Sequence, residues 1–242
     1  MAQPELSDSA TPPAGAPPVS ESGYLYWVMK VVLTPILVLA FRPKVEGLRT
    51  VPSRGPALLA CNHTSYLDWL FLPLIVRTRR ISFLAKLEYF TRRGVRGRLQ
   101  RYFFSATGQV PVDRSGADAA TAALRTATEL LHQGRLVGVF PEGSRTRDGR
   151  LNRGRTGIAR MAAASGAPVI PVAMIGVFEV APPGTRLPRP RKVGVRFGDP
   201  MPAVSASASP EELRTWTDLL MTRIAELSGQ EQSGVDAVGG QS

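Results

Sequence analysis

Residues 57–68 read Ala57-Leu58-Leu59-Ala60-Cys61-Asn62-His63-Thr64-Ser65-Tyr66-Leu67-Asp68. The short apolar run Ala57–Cys61 reads as a buried strand, and Tyr66–Val76 reads as a helix. The polar residues between them form the connection. A histidine five residues ahead of an aspartate can there form a base with its orienting carboxylate. On one straight helix, residues five apart are about 140° apart and cannot sit side by side. They can meet if His63 lies at a strand end and Asp68 in the first turn of the next helix. Ser65 is also a plausible N-cap with Asp68 three residues on, so the same residues read as a capping pair. The other histidine, His132, ends Leu130-Leu131-His132-Gln133-Gly134. That is a helix C-terminus with its stop glycine, where a cation suits the helix dipole. A histidine base would therefore be His63.

Working outward, strands and helices alternate. Ile81–Ala85, Gln109–Val112, Leu136–Phe140, Val169–Ile175 and Lys192–Phe197 read as strands. A basic stretch from Leu87 to about Phe104, then Ala117–Gln133, Thr156–Ala164 and Ser209–Leu227, read as helices, the last with Pro210 in its first turn. The rhythm predicts an α/β fold: a single domain over residues 42–228 with a largely parallel central sheet flanked by helices. At 242 residues the chain can bury one sizeable core.

The flanks read differently. Residues 1–23 are rich in Pro, Ala and Ser and carry no basic residue, which predicts a disordered tail rather than a secretory signal. Residues 229–242 read as a second polar tail. Tyr24–Phe41 is apolar except for Lys30 and Thr34. As a helix it reaches roughly 27 Å, just short of a full hydrocarbon span. Lys30 and Thr34 share one helical face, and Pro35 would kink the helix. The segment is expected to be membrane-embedded, as two short helices or one tilted helix; the alternative is a buried core helix. Arg42 and Lys44 follow, which places the rest of the chain at the cytoplasmic face of the membrane.

A net charge of +11 asks for an anionic partner: nucleic acid, anionic lipid or a phosphorylated substrate. Nine basic residues from Arg77 to Arg101 are interleaved with Phe83, Tyr89, Phe90, Leu99 and Tyr102. Such a mixture suits an anionic membrane surface or a solvated helix face. No zinc-finger or RNA-binding signature supports nucleic acid. Cys61 is the only cysteine, which excludes an intrachain disulfide. No P-loop, dinucleotide fingerprint or His-Glu-x-x-His stretch occurs, so ATP, NAD and zinc are not indicated.

Three further blocks carry chemistry. Val139-Phe140-Pro141-Glu142-Gly143-Ser144-Arg145-Thr146 leaves a strand for a loop. Glycine, serine and arginine at a strand's carboxyl end are well placed to hold a phosphate, although Arg145 can also simply point into water. Gly108-Gln109-Val110-Pro111-Val112-Asp113-Arg114 ends a short strand in an Asp-Arg pair, readable as a surface ion pair. Ala167-Pro168-Val169-Ile170-Pro171-Val172 is an apolar strand that also fits a core.

Together, and in this order, the four blocks resemble the glycerolphosphate acyltransferase superfamily over about residues 45–200. The nearest likeness is to its bacterial lysophosphatidic acid acyltransferases. The resemblance implies that His63 and Asp68 are catalytic. It also implies that the second and third blocks bind the acyl acceptor, making Arg114, Glu142, Gly143, Ser144 and Arg145 candidate acceptor residues. The implied reaction moves a fatty acyl group from acyl-CoA or acyl carrier protein to the sn-2 hydroxyl of lysophosphatidic acid, with no other cofactor. A different lysolipid or polyol acceptor is the near alternative. A non-catalytic protein that binds anionic lipid is the distant one, and that role needs neither His63 nor Asp68. One departure stands out. The family often carries Phe-Lys or Tyr-Lys and then Gly after the third block, whereas this chain has Leu151-Asn152-Arg153-Gly154-Arg155. Arginine keeps the charge of lysine but not its shape. Cys61 lies two residues from His63 and would share its face on a strand, so a Cys–His nucleophile is a further reading beside that of core filler.

Overall fold

The computed structural model describes residues 24–112, 119–185 and 187–236. Helix α1 (Tyr24–Phe41) leads into strand β1 (Lys44–Glu46) and a 3-10 turn at Leu48–Thr50. Next come β2 (Ala57–Cys61), α2 (Asp68–Ile75), β3 (Ile81–Lys86), α3 (Glu88–Thr91), α4 (Gly94–Ala106) and β4 (Gln109–Val112). Helix α5 (Ala119–His132), β5 (Leu136–Val139), β6 (Leu151–Arg153), α6 (Gly157–Ser165) and β7 (Val169–Ile175) follow. The described chain closes with α7 (Val177–Val180), β8 (Gly194–Phe197), α8 (Pro210–Ser228) and β9 (Gln232–Asp236).

Seven strands form one sheet in the order β1-β8-β7-β2-β5-β3-β4, and only β7 with β8 is antiparallel. The expected largely parallel α/β sheet is present. Strand β2 is at its centre, buried on both faces, which is why it reads as a continuous apolar run. Leu58 and Ala60 point to the side covered by α5, α6 and α8, whereas Leu59 and Cys61 point to the side covered by α1 and α2. Leu58 and Leu59 are fully buried and contribute roughly 1.5–3 kcal/mol each. Trp69, one residue into α2, meets Phe103 and Phe104 of α4 edge-on and tilted, which fixes the start of α2 near the sheet's carboxyl edge.

Three segments need comment against their reading in the sequence. Tyr24–Phe41 is a single helix with the expected bounds, but among the described residues no helix is long and apolar enough to cross a membrane. Its polar face turns inward: Lys30 is buried and donates to the Val76 carbonyl at the end of α2, and Tyr26, Leu37 and Phe41 are buried with it. Burial pushes the Lys30 ammonium down to about 8, with the nearby Arg77 charge adding to the shift. Second, residues 229–242 are not a tail throughout, because β9 pairs in parallel with β6 as a separate two-stranded sheet. Third, the basic helical stretch from Leu87 divides into two helices, since Arg93 is extended and Gly94 turns with φ 85°. Residues 1–23 lie outside the described residues.

Candidate active site

Strands β2 and β5 run parallel with Ala60 level with Val139. Three residues beyond each lie His63 and Glu142, so the two loops leave the sheet's carboxyl edge side by side. The loop after β5 holds the His63 peptide from both directions. The His63 N–H donates to Glu142 Oε1 at 2.6 Å, and the Thr146 N–H donates to the His63 carbonyl at 2.9 Å. The imidazole stacks on Phe140 with centroids 4.0 Å apart and planes at 15°. Phe140 stacks in turn on Phe83 at 5.6 Å. That column exists because position 138 is glycine: a Cβ there would lie 2.3 Å from the Phe83 ring. Glycine weakens a strand by itself, and here the space it leaves is filled by the aromatic support of the histidine.

His63 Nδ1 lies 3.0 Å from Asp68 Oδ2, and Asp68 is fully buried. The same oxygen accepts the backbone N–H of Thr64 at 2.7 Å and of Ser65 at 2.8 Å, while Oδ1 accepts the Thr64 hydroxyl at 3.1 Å. A carboxylate can only accept, so the histidine proton belongs on Nδ1 and Nε2 is left as the basic nitrogen. No protein group among the described residues bonds Nε2. The base-pair and capping readings of this stretch are thus one object. Ser65 does not itself cap the helix, which starts at Asp68 with no side-chain cap. Asp68 ties down the turn and orients the ring together.

The acceptor candidates divide. Glu142 is 1% exposed, and its second oxygen accepts the Asn152 N–H at 2.9 Å and the Asn152 side-chain amide at 3.0 Å. With both oxygens committed to protein groups, Glu142 holds His63 in place rather than lining an open site. Burial pushes its carboxyl up to about 7, against the pull of its N–H donors and with some help from the Asp68 charge. Gly143 turns with φ 78°, and a Cβ there would lie 2.8 Å from Arg155 Nε, so the glycine lets Arg155 lie over the loop. Ser144 is half-buried and Arg145 exposed, with no hydrogen bond or ion pair from the Arg145 side chain among the described residues. Arg153 is exposed on β6. Arg114 and its neighbour Asp113 lie outside the described residues, just past the end of β4.

Cys61 is buried, which pushes its thiol well above the ordinary range, and the Asp68 charge adds to this. A thiolate is disfavoured there, as core filler requires. Three residues that the sequence did not single out complete the site. Asn62 donates to the Met174 carbonyl at 3.0 Å and accepts the Met174 N–H at 2.7 Å, extending the β2–β7 pairing through a side chain. Asn152 and Gln230 reach the site from β6 and from the end of the chain. Asparagine and glutamine carry no charge or periodicity that marks them in a sequence. Among the described residues, no group of three or more His, Cys, Asp or Glu could hold a metal ion.

The chain has counterparts among known proteins. An acyltransferase family model matches residues 42–175, more than half of the chain. A 1-acyl-sn-glycerol-3-phosphate acyltransferase of Bacillus subtilis is 29% identical over 82% of this chain and 94% of its own length. A chloroplastic relative from Arabidopsis thaliana, LPAT1, is 31% identical over 60% of this chain but only 39% of its own length. The crystal structure of the lysophosphatidic acid acyltransferase PlsC from Thermotoga maritima superposes with a TM-score of 0.63 at 26% identity, covering 85% of this chain and 79% of that one. With the matched region running from Arg42, just past α1, to Ile175 at the end of β7, and so holding His63, Asp68 and the loop after β5, this chain belongs to the acyltransferase family.

Proposed function

We propose that the chain transfers a fatty acyl group from an acyl thioester, acyl-CoA or acyl carrier protein, to the sn-2 hydroxyl of 1-acyl-sn-glycerol-3-phosphate. The product is phosphatidic acid. The observation that carries this reading is the buried Asp68 holding Nδ1 of a stacked, doubly anchored His63, with an exposed arginine loop beside it. Nε2 takes the hydroxyl proton as the oxygen attacks the thioester carbonyl. The tetrahedral adduct collapses, the C–S bond breaks, and the leaving thiolate takes the proton back from the imidazolium, which Asp68 stabilises. No acyl-enzyme forms. In this reading Arg145 binds the acceptor phosphate, the role that the family resemblance also gives to Arg114. The names of the relatives support this choice of acceptor.

On this reading the reaction takes place at the cytoplasmic face of the membrane, with anionic lipid as partner. Turned away from the domain, α1 carries a bare apolar face, with Val31 72% and Leu39 79% exposed. On α4, Val95 and Leu99 are 73% and 68% exposed, next to the exposed Arg92, Arg96, Arg98 and Arg101. A groove of about 890 Å³ between α1, the end of α2 and the segment from β1 to Ser53 is lined mainly by apolar side chains, with Arg42, Arg49, Arg77 and three hydroxyl residues, and by no carboxylate among the described residues. Apolar area for the bilayer beside cations for its headgroups is what a docked enzyme presents.

Purified protein given radiolabelled acyl-CoA and a panel of acceptors tests the activity. Phosphatidic acid from lysophosphatidic acid is expected. Preference for another lysolipid or a polyol would reassign the acceptor, and lipid binding without any transfer would make the protein a non-catalytic binder. Flotation on anionic liposomes tests the location. Val31→Asp with Leu39→Asp leaves the packed face of α1 untouched and is expected to release the protein at high salt. Unchanged flotation would remove α1 from the membrane surface.

A further inference from the structure

The end of the chain, beyond the matched residues, reaches the site. Helix α8 starts at a Ser209–Glu212 capping box with Pro210 in its first turn and stops at Gly229. The next residue, Gln230, makes two contacts with its amide. Its Oε1 accepts from Asn62 Nδ2 at 2.6 Å, and its Nε2 donates to the Gly149 carbonyl at 2.6 Å. Asn62 directly precedes His63, and Gly149 ends the loop that carries Ser144 and Arg145. The chain then continues as β9: the Glu231 carbonyl accepts the Leu151 N–H at 2.9 Å, and Leu151 pairs with Gln232. Between the β6–β9 pairs lies Asn152, whose two N–H groups hold Glu142, which in turn holds His63. The C-terminal segment therefore reaches the histidine by two separate routes.

The residue type fits the task. Asn62 offers a donor and Gly149 an acceptor, so a bridge between them needs an acceptor and a donor on one short side chain, which is what a carboxamide supplies. We propose that this C-terminal strap is a positioning element for acyl transfer and that Gln230 is the residue through which it acts. Gln230 fixes the distance between the His63 segment and the arginine loop, and so between the base and a hydroxyl whose phosphate the loop holds. The proposal rests on the reading of His63 as base and of that loop as the acceptor's. A base moved by a fraction of an ångström loses rate before the enzyme loses affinity, because proton transfer needs close alignment.

The test uses the full chain with lysophosphatidic acid and acyl-CoA in mixed micelles, following kcat, both KM values and thermal unfolding. Gln230→Met keeps the length and removes both hydrogen bonds; kcat is expected to fall about tenfold, with the KM for acyl-CoA unchanged and the protein still fully folded at the assay temperature. Gln230→Glu keeps the acceptor for Asn62 and loses the donor to Gly149, and its kcat is expected to lie between the other two. Wild-type kcat in both variants would overturn the proposal, as would a fall in activity matched by an equal loss of folded protein. His63→Ala in the same series separates the two levels. If it stays active, the reading of the base fails and this proposal with it. If it is inactive while Gln230→Met runs at full rate, only the strap fails.

Discussion

His63 and Arg145 leave the same edge of the sheet on neighbouring loops, and the protein holds them in opposite ways. The histidine has its N–H and carbonyl bonded, its ring stacked on Phe140 and its Nδ1 on a buried carboxylate. The arginine is exposed, and among the described residues nothing holds its guanidinium. On the proposed function, the contrast follows from the work each does. A general base must already be aligned when the substrate arrives, because reorganisation would add to the barrier. A phosphate-gripping arginine receives its partner from the substrate, and a protein carboxylate beside it would compete. Fixed and free side chains at one site thus mark chemistry and recognition respectively.

The sharpest way to break the fixed half is Asp68→Asn. The amide keeps the shape but removes the charge that stabilises the imidazolium, so kcat is expected to fall by about 10²–10⁴ while the protein stays folded. Near wild-type turnover would mean that the Asp68 network serves the turn alone. The free half is sharpened by Arg145→Ala. A charge-assisted hydrogen bond is worth roughly 1.5–3 kcal/mol, so the KM for lysophosphatidic acid is expected to rise about ten- to a hundredfold, with the KM for the donor unchanged. Equal effects on both substrates would place Arg145 elsewhere.

The joint between the halves, Glu142, is tested through stability rather than turnover. Its carboxyl holds a proton up to about 7 in the folded protein, against 4.5 when unperturbed. The folded state therefore binds the proton more tightly, and stability falls as pH rises from about 4.5 to about 7. The loss amounts to as much as about 3 kcal/mol. Glu142→Gln has no proton to lose, so its thermal midpoint is expected to be flatter than that of the wild type over this window. Parallel curves for the two proteins would show that Glu142 is not the group that titrates.

Much of the fixed half was legible in the sequence. The bounds of β2, β4 and β7 follow from apolar runs, and His63 stands out because the chain has one other histidine, in a helix C-terminus. The reach of Asp68 was legible only as two competing readings, and the backbone around Ser65 joined them. Glu142 was placed with the acceptor residues because the resemblance implied that role for its whole block; its burial depends on Asn152, ten residues on, folding back as β6. Strand β9, Gln232–Asp236, has no apolar alternation and exists through its pairing with β6, so it read as a tail. Gln230 was invisible for the same reason. Helix α1 was read correctly in extent, but sequence hydropathy does not say that Lys30 will find the Val76 carbonyl.

The central claim is that His63 is the base, and turnover of purified His63→Ala protein tests it most directly. With lysophosphatidic acid and acyl-CoA, and with host acyltransferase removed, formation of phosphatidic acid is expected to drop by about 10²–10⁴. The protein is expected to stay folded and to bind lysophosphatidic acid near wild type, because the bonds that the loop after β5 makes to the backbone at position 63 survive the substitution. Wild-type turnover by that protein would contradict the account.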